Sequence, residues 1–461
     1  MILNDVQSKL NETNVAGYEK PDSIEKLGQL INSHSKNANK LCPSGALHSM
    51  GGQQFIGGGT VISNEYFQTI QNLNPISKSV YVGSGVTWPM LVNWLNTTQK
   101  TEETPLSIIQ KQTGADELSL GGAISSNIHG RVLGRKPIID DIISFDITTP
   151  DSQHLHCDRN INSDLFSLAI GGYGLFGFID SIQLKLTEKQ SLVREVAEIA
   201  IEEVIPFLES KTTEGAEFGD FQYMTDESSS DFLSKGIASV YSPTEDANIP
   251  TKAGVGLSTD DWKNLYLLAH TDKGKAYTEY LNHYLETNGQ QYWSDEHQFS
   301  PYLPDAGDML NKFLGWNVYK TLMITELYVP KNNFVQFMRS VKKVLSSNDA
   351  NLIYGTVRLI EEESESFLSW AKKDYVCIIF NLLIDHNKEG LIKAKKQFQA
   401  LIDKALSNNG NFYLTYHRWA SKEQVEAGYP EFEDFLQAKD KWDPQNIFTS
   451  DWHQHYKKLF S

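Results

Sequence analysis

Cysteine is scarce in this chain. Cys42, Cys157 and Cys377 are spread through 461 residues with no CxxC pair. That excludes a disulfide framework and a cysteine-built structural zinc site. Basic residues are in deficit as well. Lys and Arg number 41 against 58 Asp and Glu, a net charge of −17, so a phosphate-tracking groove and a nucleic-acid partner are not expected. Long apolar runs are missing: the longest, "VCIIFNLLI" from Val376 to Ile384, is far too short to span a bilayer. The opening "MILNDVQSKLNETN" has neither the charged start nor the apolar stretch of a secretory leader. These absences lead to the expectation of a soluble, cytoplasmic protein in a reducing compartment. Several catalytic signatures are also absent, namely GxxxxGK[ST], HExxH, the calcium-loop pattern and the G-x-S-x-G elbow.

What is present is length and apolar content enough for more than one core: 40% apolar residues and 11% aromatics, so two domains or one large composite fold are expected. "KPDSIEKLGQLINSHSKN" predicts a helix capped by Asp22 or Ser23, with Ile24, Leu27, Leu30 and Ile31 as its apolar stripe. "SVYVGSGVTWPMLVNWLNT" reads as strand, glycine turn and a helix entered at Pro89. "DDIISFDITTPDSQHLHCD" predicts a hairpin turning at Pro150–Asp151–Ser152. From about Gln190 the texture changes to strands alternating with amphipathic helices, as in "TLMITELYVP", "NNFVQFMRSVKKVLSS", "NLIYGTVRLI" and "YVCIIFNLLID". The fold class is α+β.

Three glycine-rich segments stand out: "SGALHSMGGQ", "SLGGAISSNIHG" and "GGYGLFG". The last contains GxGxxG at Gly172–Gly177, the dinucleotide fingerprint. The fingerprint needs a strand before it and a helix after it. Here "DLFSLAI" reads as helix and "FIDSIQLKL" as strand, so a Rossmann site is not expected. Three such loops in one half of a chain, two with histidines, nevertheless form nests of backbone N–H suited to a pyrophosphate.

"PSGALHSMGGQ" taken with "LSLGGAISSNIHG" resembles the flavin-binding domain of the vanillyl-alcohol oxidase superfamily, also called the PCMH type. Within it, the motifs and the ending "YPEFEDFLQAKDKWDPQNIFTSD" resemble aldonolactone and alditol oxidases and decaprenylphosphoryl-ribose oxidase. The resemblance implies FAD as cofactor. It also implies a PCMH-type two-subdomain domain over about 9–189 and an α+β substrate domain with an antiparallel sheet over 190–410. A segment from 411 to 461 would return to the first domain. It implies that Gly45, Ala46, Leu47, Ser49 and Gly52 wrap the pyrophosphate. Gly121, Gly122, Ser125 and Asn127 would run along the flavin, Ile179 would face the adenine through its backbone, and Tyr413 would touch the cofactor. His48 falls where many members join the flavin covalently. Such a link withdraws electron density from the ring and makes it a stronger oxidant.

Flavin chemistry on an alcohol further needs a proton acceptor and positive charge near the reduced ring. His129 and Arg131 in "NIHGR", Arg358 in "YGTVRLI", and Tyr416 and His417 in "YLTYHRW" are the candidates. Alternation puts Tyr354, Thr356 and Arg358 on one strand face. It puts Tyr413 and Thr415 on one face of their run, and Leu414, Tyr416 and Arg418 on the other. Tyr416 is read as a tyrosinate base or a phenol donor, and Cys377 as a small core residue near the flavin. His154 and His156 are read as surface residues, Asp140 and Asp141 as turn residues, and no metal site is expected. The implied reaction oxidises an alcohol of polyol, sugar or lactone type, with a small-molecule substrate and O2 or another electron acceptor as partners. The alternatives are a cytokinin-dehydrogenase-like amine oxidation and a flavin carrier without turnover.

Overall fold

After an antiparallel pair, Ile2–Leu3 with Thr13–Asn14, the next sheet is parallel and the later ones are antiparallel. A computed structural model describes residues 1–245, 256–300, 303 and 306–461. Gly17–Glu19 and Leu41–Ser44 flank Thr60–Ser63 in a three-stranded parallel sheet. A crossover helix, Ile24–Lys36, joins the first two of them; the Ser23 side chain accepts from the Lys26 N–H at its start. Its buried Leu27 and Ile31 meet Leu41, Ile62, Phe178 and Phe448, so the 3.6-residue stripe read from the sequence is the face that packs.

The second sheet is antiparallel, in the order His154–Asp158, Ile142–Thr148, Phe178–Glu188, Ser79–Gly83, Ile70–Asn74. Leu106–Ile108 pairs with the far end of Phe178–Glu188. The hairpin about Pro150–Ser152 forms. Helix Ser163–Ala169 precedes Gly172–Gly177 and a strand follows, the reverse of the order a Rossmann fingerprint needs.

Strand Phe178–Glu188 ends this sheet, and Ser191–Ala200, two residues on, enters another. That eight-stranded antiparallel sheet runs Gln291–Trp293, Ser191–Ala200, Lys235–Pro243, Phe218–Tyr223, Leu352–Ile360, Tyr375–Asp385, Lys320–Pro330, Asn411–Phe412. Both its faces are covered, which is why "VCIIFNLLI" is apolar on both sides except at Asn381. Phe380 meets Phe337 of helix Phe334–Ser347, whereas Ile379 and Asn381 point into a cavity on the other side. Across that cavity lie helices Thr259–Thr271 and Lys273–Glu286.

The tail leaves the large sheet and reaches the first one. The Leu41 N–H donates to the Ile447 carbonyl at 2.7 Å, and helix Asp451–Phe460 sets Trp452 against Tyr173. One local expectation fails here. "YLTYHRW" is not an alternating strand; only Asn411–Phe412 pairs. Its carbonyls bond to side chains instead of a ladder, Leu414 O to Trp452 Nε1 and Thr415 O to Gln53 Nε2. Freed from alternation, Tyr413, Thr415 and Tyr416 all reach the cavity. The second glycine-rich segment also differs from a plain loop, since Leu120–Ser125 is a short helix capped by Ser119.

Candidate active site

A cavity of about 860 Å³ separates the glycine-rich segments from the large sheet. Gly45–Ser49, Gly121, Gly122, Ser125 and Gly177–Ile179 line one end. Glycine is required at two of these positions by close approach. A Cβ on Gly45 would lie 2.3 Å from Ser119 Oγ, and one on Gly121 would lie 2.7 Å from Ser84 Cβ. No real Cβ tolerates such contacts. Leu47 takes the left-handed backbone, φ +61°, and turns the loop so that its amides and the His48 ring reach the cavity.

At the other end the sheet presents a carboxylate that no motif announces. Glu326, on Lys320–Pro330, is buried and lines the cavity. Tyr416 donates to its Oε1 at 2.6 Å and Tyr328 to its Oε2 at 2.9 Å. His129 Nε2 lies 3.0 Å from Oε2, and its Nδ1 is 3.0 Å from the Gly130 carbonyl. Both ring nitrogens therefore face oxygen acceptors, to either of which the ring can donate. Burial pushes the Glu326 carboxyl up, but His129, Tyr416 and Arg358 together outweigh it and hold it below its ordinary value. The same burial, with Glu326 adjacent, pushes the Tyr416 phenol well up. Tyr416 is thus a neutral donor, and a standing tyrosinate is ruled out as the base. Arg358 is buried on the neighbouring wall, donates to Thr113, and makes no ion pair among the described residues. Its Nε has no partner.

Residues 15–158 match the FAD binding domain family, and residues 312–456 match the D-arabinono-1,4-lactone oxidase family. Gly45–Ser49, Gly121, Gly122 and Ser125 fall inside the first span and Glu326 inside the second, whereas Gly177–Ile179 lies between them. The chain carries a PCMH-type FAD-binding domain together with a D-arabinono-1,4-lactone oxidase segment, as FAD-linked oxidoreductases do. FAD is its cofactor. Among curated proteins it is similar to cytokinin dehydrogenase 2 of Arabidopsis thaliana, 25% identical over 169 residues, 36% of this chain and 32% of that protein. Cytokinin dehydrogenase 9 of Oryza sativa subsp. japonica is 31% identical over 150 residues, 32% and 27% of the two chains. The mitochondrial L-galactono-1,4-lactone dehydrogenase of Brassica oleracea is 22% identical over 197 residues, 43% and 32%. The matched stretch spans about a third of each relative's length.

The residues present fit the flavin dinucleotide. The glycine cradle at Gly45 and Gly121 lies on the cavity wall, and Ser44 Oγ is buried there with no partner among the described residues, a hydroxyl suited to a phosphate oxygen. Of the residues assigned to FAD, Gly45, Ala46, Leu47, His48, Ser49, Gly121, Gly122, Ser125, Ile179 and Tyr413 line the cavity. The structure places Gly52 and Asn127 elsewhere. Gly52, φ +79°, sits beside Arg418 and Asn11. Asn127 turns its amide away from the cavity, donating to Glu363 and Ser366 and accepting from Ile139 N–H. Its carbonyl takes the Trp370 indole N–H, and Trp370 packs on His129 at 5.2 Å. Asn127 is a positioning residue for His129.

Among the catalytic candidates, His129, Arg358 and Tyr416 converge on Glu326; His417 does not. It is buried between Phe398 and Trp419, 3.3 Å from Thr325 Oγ1, and burial drives its ring down to about 3. Tyr354, Thr356 and Arg358 share the cavity face, as alternation indicates. Arg131 lines the cavity but pairs with Asp220 at 3.4 Å. His154 and His156 pair with Asp180 and Asp146 at the edge of the second sheet. Sequence reasoning missed Glu326 and Gln53. The one available signal for Glu326 was an acid inside the otherwise apolar strand "TLMITELYVP".

Proposed function

We propose that this protein oxidises an alcohol carbon of a polyol, sugar or lactone-type substrate, with FAD attached through His48. One observation carries the reading. An ionised, buried carboxylate, Glu326, is held by a phenol and an imidazole on the wall of the same cavity that the flavin loops line. When bound, FAD supplies a hydride acceptor for the substrate C–H. The chain's residues would handle the accompanying proton. Tyr416 meets the substrate hydroxyl and accepts its proton as its own moves to Glu326 Oε1, 2.6 Å away. His129 keeps the carboxylate oriented, and Arg358, buried without an ion pair among the described residues, holds the negative charge that develops on oxidation. The match of residues 312–456 to the D-arabinono-1,4-lactone oxidase family supports a lactone or a related polyol as substrate. His48 suits attachment as a neutral nucleophile. Burial drives its ring down to about 4, and Gln7 donates to Nδ1 at 2.8 Å. Oxygen or another acceptor would regenerate the oxidised cofactor.

Similarity to the cytokinin dehydrogenases supports a second reading, amine oxidation on an aspartate base. The aspartate on the cavity wall, Asp220, is committed to Arg131 and to the Ser239 hydroxyl at 2.7 Å, which favours the alcohol. Anaerobic mixing with a panel of lactones, polyols, sugars and amines, read at the flavin's visible band, is the test. Bleaching by lactones or polyols supports the proposal. Bleaching by amines alone replaces it with the second reading, and bleaching by nothing leaves a flavin carrier.

A further inference from the structure

Behind the Tyr416–Glu326 contact, three side chains from three elements offer one atom each to a common point. Cys377 lies on Tyr375–Asp385, opposite Tyr328 on Lys320–Pro330, the strand that carries Glu326; His129 comes from the loop after Leu120–Ser125. His129 Nε2 and Glu326 Oε2 are 3.0 Å apart, and Cys377 Sγ lies 3.7 Å from the first and 3.9 Å from the second. With metal–ligand bonds of about 2.0–2.3 Å, a tetrahedral zinc ion holds N, O and S ligands roughly 3.3–3.6 Å apart. Each edge of the triangle lies within about 0.3 Å of that range, so side-chain adjustment would seat the ion without rearrangement of any strand.

The surroundings are those of a built metal site. The Gly130 carbonyl takes the Nδ1 proton of His129 and so leaves Nε2 as the ligand atom. Tyr416 and Tyr328 fix the carboxylate. His129 and Glu326 line the cavity, so an ion has an entry path. Charge also balances: one thiolate and one carboxylate neutralise a divalent ion, so burying the assembly leaves no net charge in an apolar interior. The thiol and imidazole select zinc over magnesium or calcium.

We propose that His129, Glu326 and Cys377 form a zinc-binding site opening on the substrate cavity, and that its occupancy blocks turnover by engaging Glu326. On binding, the Cys377 thiol proton and any proton on His129 Nε2 leave to solvent, and no electrons move. The inhibitory half rests on the alcohol-oxidation reading; the binding half does not.

The test uses the full FAD-loaded chain. Exposed His154 and His156 are the obvious source of adventitious zinc, so the His154→Asn/His156→Asn double variant is the background protein. It is equilibrated with zinc chloride, gel-filtered and analysed for metal. One zinc per chain is expected, with a raised melting temperature that magnesium chloride does not reproduce. Cys377→Ser in that background should weaken binding by more than about 100-fold, since even outer partners of metal ligands cost about 10–100-fold. A background protein that retains no zinc, or a Cys377→Ser variant that retains it equally, overturns the proposal. Because the first measurement leaves all three ligands intact, a misfolded variant cannot rescue the idea. Zinc retained without slowing substrate-driven bleaching overturns the inhibitory half. If no substrate bleaches the flavin, the alcohol reading fails while the zinc count still stands.

Discussion

Tyr416 and Glu326 are 90 residues apart in the chain and meet at 2.6 Å on the cavity wall. The contact decides which partner keeps the proton. Burial and the carboxylate push the phenol well up, while His129, Tyr416 and Arg358 outweigh burial to hold the carboxyl below its ordinary value. The resting state is phenol and carboxylate, a donor aimed at an acceptor.

Glu326→Gln keeps the shape and the Tyr416 contact but removes the proton's destination. Substrate-driven flavin reduction should slow by about 10²–10⁴-fold, the usual contribution of a positioned acid–base group. FAD content per chain should stay unchanged. Tyr416→Phe should also slow reduction, less severely, because Glu326 remains. Stopped-flow absorbance under anaerobic conditions measures both, and an unchanged rate in Glu326→Gln removes Glu326 from the mechanism.

Gly45→Ala tests the cofactor cradle. The added methyl would meet Ser119 Oγ at 2.3 Å, and Ser119 caps Leu120–Ser125 by accepting from Gly122 N–H. Displacing it loses a cap of about 1 kcal/mol and shifts two flavin-lining segments at once. The variant should purify with FAD well below one per chain. Absorbance ratios give the answer directly, and full occupancy would show that the loop tolerates a side chain there.

His48→Ala separates tight binding from attachment. Acid precipitation of the unmodified protein should leave yellow colour on the polypeptide, whereas the variant should release its flavin to the supernatant. Loss of the link should also make the bound flavin a weaker oxidant, measurable as a lower midpoint potential by dye equilibration. Free flavin released from the unmodified protein would show that His48 packs on the ring without a bond.

Much of this site was legible in the chain because glycine-rich loops carry their own signature. "GALHSMGGQ" and "GGAISS" announce close backbone approach, and Gly45 and Gly121 do lie against neighbours that admit no Cβ. Local periodicity likewise served Arg358, whose strand pairs residue for residue with Tyr375–Asp385 from Tyr354 to Ile360. It failed at Tyr416, where Trp452 and Gln53 take the carbonyls a ladder would use. Asn127 was carried to the flavin by family resemblance, and its side chain answers instead to Glu363, Ser366 and Ile139, residues distant in sequence or on another element. Glu326 was hidden for the same reason: Tyr328 is its one partner within "TLMITELYVP", whereas His129 and Tyr416 arrive from segments that the run does not encode.

His417, displaced from the catalytic role, makes the chain acid-sensitive instead. Burial drives its ring down to about 3, and drives those of His453 and His48 to about 3 and about 4. An unfolded histidine titrates near 6.5, so the unfolded chain takes up protons first as pH falls. Each of these groups therefore contributes its full stability above about pH 6.5, and loses it progressively as pH drops toward the folded value. Per group the slope is about 1.4 kcal/mol per pH unit within that window. Asp180, raised by burial to about 7, works in the opposite direction but equally in any histidine variant. His417→Asn should thus lower stability at pH 7.5, through lost contact with Phe398 and Trp419, yet flatten the fall in unfolding free energy between pH 6.5 and 4 by close to one proton. Urea unfolding at a series of pH values reads the difference in slope. Parallel curves for the two proteins would mean that His417 is protonated inside the fold, and its burial against those rings would then need a partner other than Thr325.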